Sequence, residues 1–116
     1  MVLLLLPPLR VITVRPAIAV SSLRAGLPFL GTRLVARQLR EQVEVLLAQA
    51  SEVELNFTGV SISQSFADEL VGMLLLSHTP AVLERLVFKN CSDSVRAVIE
   101  FVVADRYDEY VRTRSH

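Results

Sequence analysis

Three serines and two acids stand close together where a strand pattern gives way to a helix pattern. The hydroxyls belong to Ser61, Ser63 and Ser65, and the carboxylates follow at Asp68 and Glu69. Backbone N–H groups without partners gather at the start of a helix, and the helix dipole favours negative charge there. This segment is therefore where recognition of an anion, modification of a hydroxyl or acid–base chemistry would be placed.

The same side chains also have structural interpretations. Ser65 is a candidate N-cap. Asp68 follows three residues later, and its side chain can accept a hydrogen bond from the Ser65 backbone N–H as in a capping box. Asp68 and Glu69 point about 100° apart on a helix, so they do not easily share one substrate, and a favourable position near the helix dipole explains them. Phosphorylation of a serine here would instead add roughly two negative charges and change the surface that a partner meets.

The remaining reactive residues form no recognisable catalytic set. Cys91, the single cysteine, precedes a predicted helix, a position where the pKa of a thiol can be lowered. His78 is the only internal histidine, and no spacing brings it to Cys91. The sequence contains no Cys/His cluster at metal-ligand spacing and no glycine-rich phosphate-binding motif. We therefore predict a protein that is not an enzyme and that holds no metal and no cofactor.

Composition limits the class of fold and of partner. The chain has 116 residues, of which 52% are hydrophobic, which favours one packed domain. Lys plus Arg and Asp plus Glu are twelve each, and there is no Trp. The positive field and the aromatic platform of a nucleic-acid binder are therefore missing. Zero net charge also lowers the barrier to self-association, so a homodimer is one expected state.

The N-terminal segment is apolar but short. In residues 1–8 the apolar run has about five residues, against roughly seven to fifteen in a secretion signal and about 20 in a membrane helix. We interpret it as a strand or arm that ends at Pro7 and Pro8. The sequence therefore predicts a cytoplasmic protein without membrane contact.

Strand and helix patterns alternate along the rest of the chain. Short β-branched or alternating runs predict strands, and apolar residues at helical spacing predict helices. The predicted strands are 11–14 with a continuation or a second strand at 17–20, then 53–58 and 83–89, and the predicted helices follow Thr32, Ser65 and Asn90. Residues 21–31 are predicted to be a loop. This order implies an α/β fold with a mostly parallel sheet and crossover helices.

The first predicted helix has one buried face and one solvated face. Thr32 is its expected N-cap, and its buried stripe is expected to contain Leu34, Leu39, Val43, Leu46 and Leu47. Arg37 with Glu41 and Arg40 with Glu44 lie four residues apart. They are interpreted as pairs on a solvated outer face, worth a few tenths of a kcal/mol each.

These elements and this turn resemble the STAS domain superfamily. They resemble more closely the STAS-like bacterial domains of unknown function that are often found near or fused to histidine-kinase-type ATPases. The runs LNFTGV (residues 55–60) and ISQSFADE (residues 62–69) are similar to the group's F-x-G-V and S-F-A-D-E patterns. Asn90, Cys91 and Ser92 are similar to its N-A-S pattern, so the resemblance covers roughly residues 32–103.

The resemblance implies a mixed, mostly parallel sheet of about four strands with helices packed mainly on one face. Residues 32–106 would form the STAS-like core, preceded by N-terminal strands and a loop in 1–31 and followed by a tail in 107–116. It implies a non-catalytic regulatory module that docks a protein partner, such as an ATPase or kinase, through the turn and the second helix. The candidate partner-binding or phospho-switch residues are Ser61, Ser63, Ser65, Phe66, Asp68 and Glu69.

The phospho-switch of STAS proteins that antagonise anti-sigma factors uses a D-S-S-G turn. The corresponding residues here are Gln64, Ser65, Phe66 and Ala67, so only the first serine of the motif is present. Ser63 and Ser65 remain the candidate phosphoacceptors. Two other functions stay open: a structural subunit that self-associates through residues 2–6 or the last helix, and a domain that binds a small ligand or nucleotide at the helix-start turn.

Overall fold

The computed structural model describes residues 15–23 and 29–114. The predicted strand at 11–14 and the apolar segment at 1–8 lie outside the described residues. The strands are β1 (Ala17–Ala19), β2 (Phe29–Leu30), β3 (Val53–Asn56), β4 (Ser61–Ile62) and β5 (Leu86–Lys89). The helices are α1 (Arg33–Leu47), α2 (residues 64–78) and α3 (Asp93–Arg114), with 3₁₀ turns at Val20–Leu23 and Pro80–Arg85.

Every strand pair in the described part of the chain is parallel. The main sheet has the order β1-β3-β5, with Ala17 beside Glu54 and Val53 beside Leu86. A second, two-stranded ladder joins β2 to β4 and places Phe29 beside Ser61. The predicted α/β class with a mostly parallel sheet is therefore confirmed. Because parallel neighbours cannot be joined by a tight hairpin, α1 and α2 serve as the crossovers between the strands of the main sheet.

The three helices form one layer with α2 in the middle. Helix α2 packs against α1 on one side and against α3 on the other. Its apolar residues Phe66, Leu70 and Leu74 are fully buried in the core, together with Leu55 of β3 and Leu39 of α1. Burying side chains of this size contributes about 1.5–3 kcal/mol each before conformational entropy is counted. The central helix is therefore held on three sides.

Helix α2 has an irregular middle. It is α-helical over Gln64–Ala67, π-helical over Asp68–Gly72 and α-helical again over Met73–His78. A π-helical turn holds one more residue than an α-helical turn and is found mostly as a local insertion, often at functional sites. Helix α2 ends before Thr79, whose φ of 81° breaks the helix ahead of Pro80.

The two helix caps test the sequence interpretation directly. Thr32 caps α1 as predicted, and its side-chain oxygen accepts from the Val35 N–H at 3.3 Å. The N-cap of α2, however, is Ser63 and not Ser65. The Ser63 hydroxyl accepts from the Phe66 N–H at 3.0 Å and donates to the Gly31 carbonyl at 2.9 Å. The prediction of a Ser65–Asp68 capping box is wrong because the helix begins two residues earlier.

Three further predictions need correction. The loop expected at 21–31 contains β2, which forms through its pairing with β4. The third strand begins at Leu86 and not at residue 83, because Pro80–Arg85 is a 3₁₀ turn. Leu34, expected on the buried stripe of α1, is 63% exposed.

Removing the Ser63 hydroxyl should destabilise the fold more than removing the Ser65 hydroxyl. Ser63→Ala deletes a cap and a bond to Gly31, so we expect the free energy of unfolding to fall by about 1–2 kcal/mol. Ser65→Ala is the matched control, because Ser65 is exposed, and it should change stability by less than about 0.5 kcal/mol. Urea titration followed by circular dichroism measures both. Equal losses for the two variants would contradict the cap assignment.

Candidate functional site

The carboxyl ends of β3 and β5 are tied together by asparagine side chains. The Asn56 side-chain oxygen accepts from the Thr58 N–H at 2.9 Å, from the Thr58 hydroxyl at 2.6 Å and from the Asn90 amide at 3.2 Å. Asn90 has a φ of 56° and Gly59 a φ of 68°, left-handed conformations that Asn and Gly tolerate best. The polar residue that ends β3 therefore shapes the turn that leads to β4.

The three serines of the turn have different environments. Ser61, on β4, and Ser65, in the first turn of α2, are exposed, whereas Ser63 is half-buried and engaged as the N-cap. Phe66 is fully buried in the core. Among these candidates, only Ser61 and Ser65 present their side chains fully to a partner.

Asp68 is buried beside α3 and α1. It is 8% exposed, and its two carboxylate oxygens accept from Arg106 Nε at 2.6 Å and Arg106 Nη2 at 2.7 Å. Arg33 Nη1 donates to the same carboxylate at 3.0 Å. The Arg106 pair is bidentate, the geometry in which a guanidinium binds a carboxylate most strongly. Asp68 therefore ties the central helix to both of its neighbours.

Glu69 is buried beside α1. It is 7% exposed and accepts from Arg40 Nη2 at 2.9 Å, with Arg33 at 3.5 Å and Arg37 at 3.8 Å. We call Asp68, Glu69 and their four arginines the α2 ion cluster. Adjacent residues on a helix diverge by about 100°, and here that divergence directs Asp68 mainly to α3 and Glu69 to α1.

The α2 ion cluster favours the ionised form of Asp68. The hydrogen bonds from Arg106 hold the pKa of Asp68 below its usual range; burial opposes this shift and Arg33 adds to it. The same pairing raises the pKa of Arg106. A carboxylate that two guanidinium groups hold ionised is a poor proton acceptor. The geometry gives Asp68 and Glu69 a structural role in joining helices.

Gly72 leaves the space that Asp68 and Arg106 occupy. A Cβ at Gly72 would lie 2.6 Å from Asp68 Oδ1 and 2.9 Å from Arg106 Cγ. In the π-helical segment the Met73 N–H donates to the Asp68 carbonyl, five residues back instead of four. The glycine and the inserted residue together let Arg106 lie across α2 and reach Asp68.

Cys91 does not have the environment of a reactive thiol. It lies between β5 and α3, where burial raises the pKa of the thiol and the charge of Arg96 opposes that rise. The expectation that the helix start lowers this pKa is wrong. Within residues 15–23 and 29–114, no group of three His, Cys, Asp or Glu side chains could hold a metal ion.

A small cavity opens beside the turn. It has a volume of about 450 Å³ and lies at the carboxyl ends of the strands, lined by residues that include Ser61, Asn90, Cys91 and Ser92. Parallel sheets commonly bind ligands outside the carboxyl ends of their strands. The cavity does not include Ser65, Asp68 or Glu69, so the structure separates the predicted site residues into two regions.

A family model for the STAS-like domain of unknown function (DUF4325) matches residues 35–96, just over half of the chain. The chain belongs to this family. The matched region runs from the first turn of α1 to the first turn of α3, and it contains both the ISQSFADE run and the Asn90–Ser92 turn. The resemblance stated from the sequence is therefore confirmed. No curated protein and no solved structure matches the chain significantly.

In this STAS-like domain, sequence reasoning missed the partners of the two acids. Arg33, Arg37 and Arg40 recur at a spacing of four and three, so they form a stripe on one face of α1. That stripe is the available signal in the sequence, but the local spacing predicts a solvated outer face for Arg37 and Arg40. Arg37 and Arg40 do not pair with Glu41 and Glu44 as predicted: both face Glu69, and Glu44 instead lies 2.9 Å from His78.

No helix in the described part of the STAS-like domain combines the length and the apolar composition needed to cross a bilayer.

Neutralising Asp68 should destabilise the domain at neutral pH. It should also make the free energy of unfolding depend less on pH in the acid range. Asp68→Asn keeps the shape and removes the charge, and we expect a loss of about 2 kcal/mol, because its partners are partly solvated. Since folding lowers the pKa of Asp68, its contribution is complete above the unfolded-state pKa of about 3.9. That contribution is lost as the pH falls through the folded-state pKa.

Urea titrations of wild type and Asp68→Asn between about pH 7 and about pH 2 measure this effect. The stability difference should shrink only in the acid range. Asp108→Asn is the control, because Asp108 pairs with Arg112 on the open surface at 3.4 Å, where ion pairs contribute about 0–1 kcal/mol. A difference between wild type and Asp68→Asn that stays constant with pH would contradict the assigned ion pair.

Gly72→Ala should disturb the α2 ion cluster. The added methyl group must displace Asp68 or Arg106, so we expect a loss of about 1–3 kcal/mol, and a smaller loss in an Asp68→Ala background. Gly31→Ala is the control: its Cβ would lie 2.8 Å from the Phe29 ring, but this exposed ring is free to move. Thermal unfolding of the four variants measures the losses. An equal cost in both backgrounds would show that Asp68 does not cause it.

Proposed function

We propose that this STAS-like domain is a non-catalytic regulatory module that docks a protein partner at the start of α2. The observation that carries the proposal is the division of the turn into an anchored interior and an exposed exterior. Ser63, Asp68 and Glu69 hold α2 in place from inside, while Ser61, Gln64 and Ser65 face outward. A rigidly held, exposed helix start is suited to recognition by a partner.

An aromatic side chain extends this surface. Phe29 is 52% exposed and lies beside Ser61 in the β2–β4 ladder. Aromatic residues are enriched in the cores of protein interfaces. We call Phe29, Ser61, Gln64 and Ser65 the docking surface. It combines one apolar contact with three hydrogen-bonding side chains, a composition typical of a regulated and reversible interface.

Catalysis has less support in the described part of the chain. The two buried acids are engaged with arginines, and burial raises the pKa of the Cys91 thiol. STAS-like domains are generally non-catalytic, which agrees with this arrangement. The proposal therefore assigns the turn to binding and regulation, in the cytoplasm.

Ser65 is the serine best suited to a phospho-switch. It is exposed, whereas phosphate on Ser63 would remove the N-cap of α2. Ser65 precedes Asp68 and Glu69 by three and four residues, so it lies one turn away on the same face of α2. Arg33, which bridges those two acids, is half-exposed. A phosphate on Ser65 would compete for this guanidinium and make the docking surface strongly negative.

A second candidate function rests on the 450 Å³ cavity at the strand ends. Ser61, Asn90 and Ser92 bring hydroxyl and amide groups to it, and these groups could hydrogen-bond a small polar ligand or nucleotide. The cavity lies beside the docking surface. A small molecule retained by the unmodified monomer in native mass spectrometry would favour this function over docking.

Site-specific cross-linking tests the docking surface. The resemblance suggests a histidine-kinase-type ATPase as the partner, so the domain is co-expressed with such an ATPase from its genomic neighbourhood. A photo-reactive amino acid replaces Gln64, and the control position is Gln49, which is also exposed and lies in the turn after α1. We expect cross-links from position 64 only, and a phosphate-sized mass increment on Ser65 that accompanies loss of the complex.

Two outcomes would overturn the proposal. Absence of any complex in native mass spectrometry would remove the ATPase as partner. A complex that cross-links equally from positions 64 and 49 would show that docking does not depend on the start of α2.

A further inference from the structure

A large groove lies between β5, an edge strand of the main sheet, and α3. It has a volume of about 750 Å³, and its walls include Phe88 of β5, Cys91 after the strand, and Val103 and Tyr107 of α3. Among the described residues β5 pairs only with β3, so no described strand lies along its other edge. Tyr107 is 51% exposed. An open sheet edge beside an apolar helix face is a typical place for another chain to bind.

Two opposite charges face this groove without a partner. Arg96 and Glu100 line it, both are exposed, and neither side chain forms an ion pair or hydrogen bond to another described residue. They lie four residues apart on α3 and could have paired with each other, but they do not. The groove therefore presents one positive and one negative group at a fixed spacing to whatever fills it.

A second copy of the same chain satisfies both charges at once. In a two-fold dimer the same patch faces itself, and a two-fold axis perpendicular to α3 would set the two α3 helices antiparallel. If Arg96 of one copy lies opposite Glu100 of the partner subunit, the symmetry places Glu100 opposite Arg96 of the partner subunit. Arg96 and Glu100, which do not pair within one chain, would thus form two equivalent ion pairs between the two copies.

The same register also fills the groove. In this antiparallel register, Tyr107 of one copy would lie just beyond the N-terminal end of α3 of the other, which begins at Asp93. Phe88 and Cys91, on the other wall of the groove, precede α3 on that side. The exposed aromatic ring of each copy would therefore cover the apolar wall of the other.

We propose that the chain forms a two-fold homodimer through α3 and the β5 edge of the main sheet, with reciprocal Arg96–Glu100 ion pairs. Zero net charge removes long-range repulsion between the copies. This interface lies on α3 and β5, whereas the docking surface lies on β2, β4 and the start of α2. The inference therefore goes beyond the proposed function and can fail without it.

A reciprocal charge swap tests the dimer. Sedimentation velocity over a range of concentrations gives the dimer dissociation constant of the full chain. Because each substitution acts twice in a two-fold dimer, Arg96→Glu and Glu100→Arg should each raise this constant by about tenfold or more. The double variant Arg96→Glu/Glu100→Arg restores opposite charges and should return it to within about threefold of wild type. Glu41→Arg, an exposed acid on α1, is the control.

Circular dichroism first establishes that each variant is folded. Each outcome then either supports or overturns the proposed homodimer. A wild-type chain that stays monomeric at high concentration overturns the proposal. A dimer that resists either one of the single swaps also overturns it, because reciprocal ion pairs require both residues. Weakening by both single swaps without recovery in the double variant rejects the Arg96–Glu100 register. Recovery in the double variant, with no effect of Glu41→Arg, establishes the proposed interface.

Discussion

The pairing of Asp68 and Glu69 with arginines from two other helices is the constraint on which the arrangement of this domain depends. Two adjacent carboxylates that are nearly buried would carry a large desolvation cost if they lacked partners. Their cost is met by guanidinium groups from α1 and α3, which reach α2 from opposite sides. Gly72 and the π-helical turn allow the closest of these contacts. The position of α2, and with it the start of the helix, is therefore set from within.

A buried ion cluster fixes the relative positions of helices more reliably than it increases the free energy of unfolding. A protein in which apolar side chains of similar volume replace a buried ion pair is often as stable as the original. Removing only one partner is different, because it leaves the other charge buried without compensation. A bidentate pair also fixes direction, because both carboxylate oxygens of Asp68 are bound by one guanidinium. An interaction module needs its contact residues held in one arrangement before binding, because preorganisation lowers the entropy cost of association. The cluster supplies that arrangement under the proposed docking surface.

The sequence predicted the order of elements because that order depends on local patterns. The alternation of strand and helix predicted the parallel sheet, and the Thr32 cap was predicted from a single residue. Strand β2 could not be found, since two residues become a strand only by pairing with β4. The start of α2 was misplaced because Asp68 gives Ser65 the local pattern of a capping box, whereas Phe66 stands three residues after Ser63. The bond from Ser63 to Gly31, which is distant in sequence, favours Ser63. The partners of Asp68 and Glu69 lie about thirty to forty residues away.

The α2 ion cluster also determines whether docking and dimerisation would influence each other. A phosphate on Ser65 would compete for Arg33, which contacts Asp68 through one nitrogen at 3.0 Å. Arg106 would keep its two shorter bonds to Asp68, so α3 would remain anchored to α2. The groove face of α3, with Arg96 and Glu100, would not move when Arg33 is drawn away. Coupling between two sites requires an element with two arrangements that both sites favour differently. Because the anchor of α3 does not pass through Arg33, the geometry predicts that docking and dimerisation are independent.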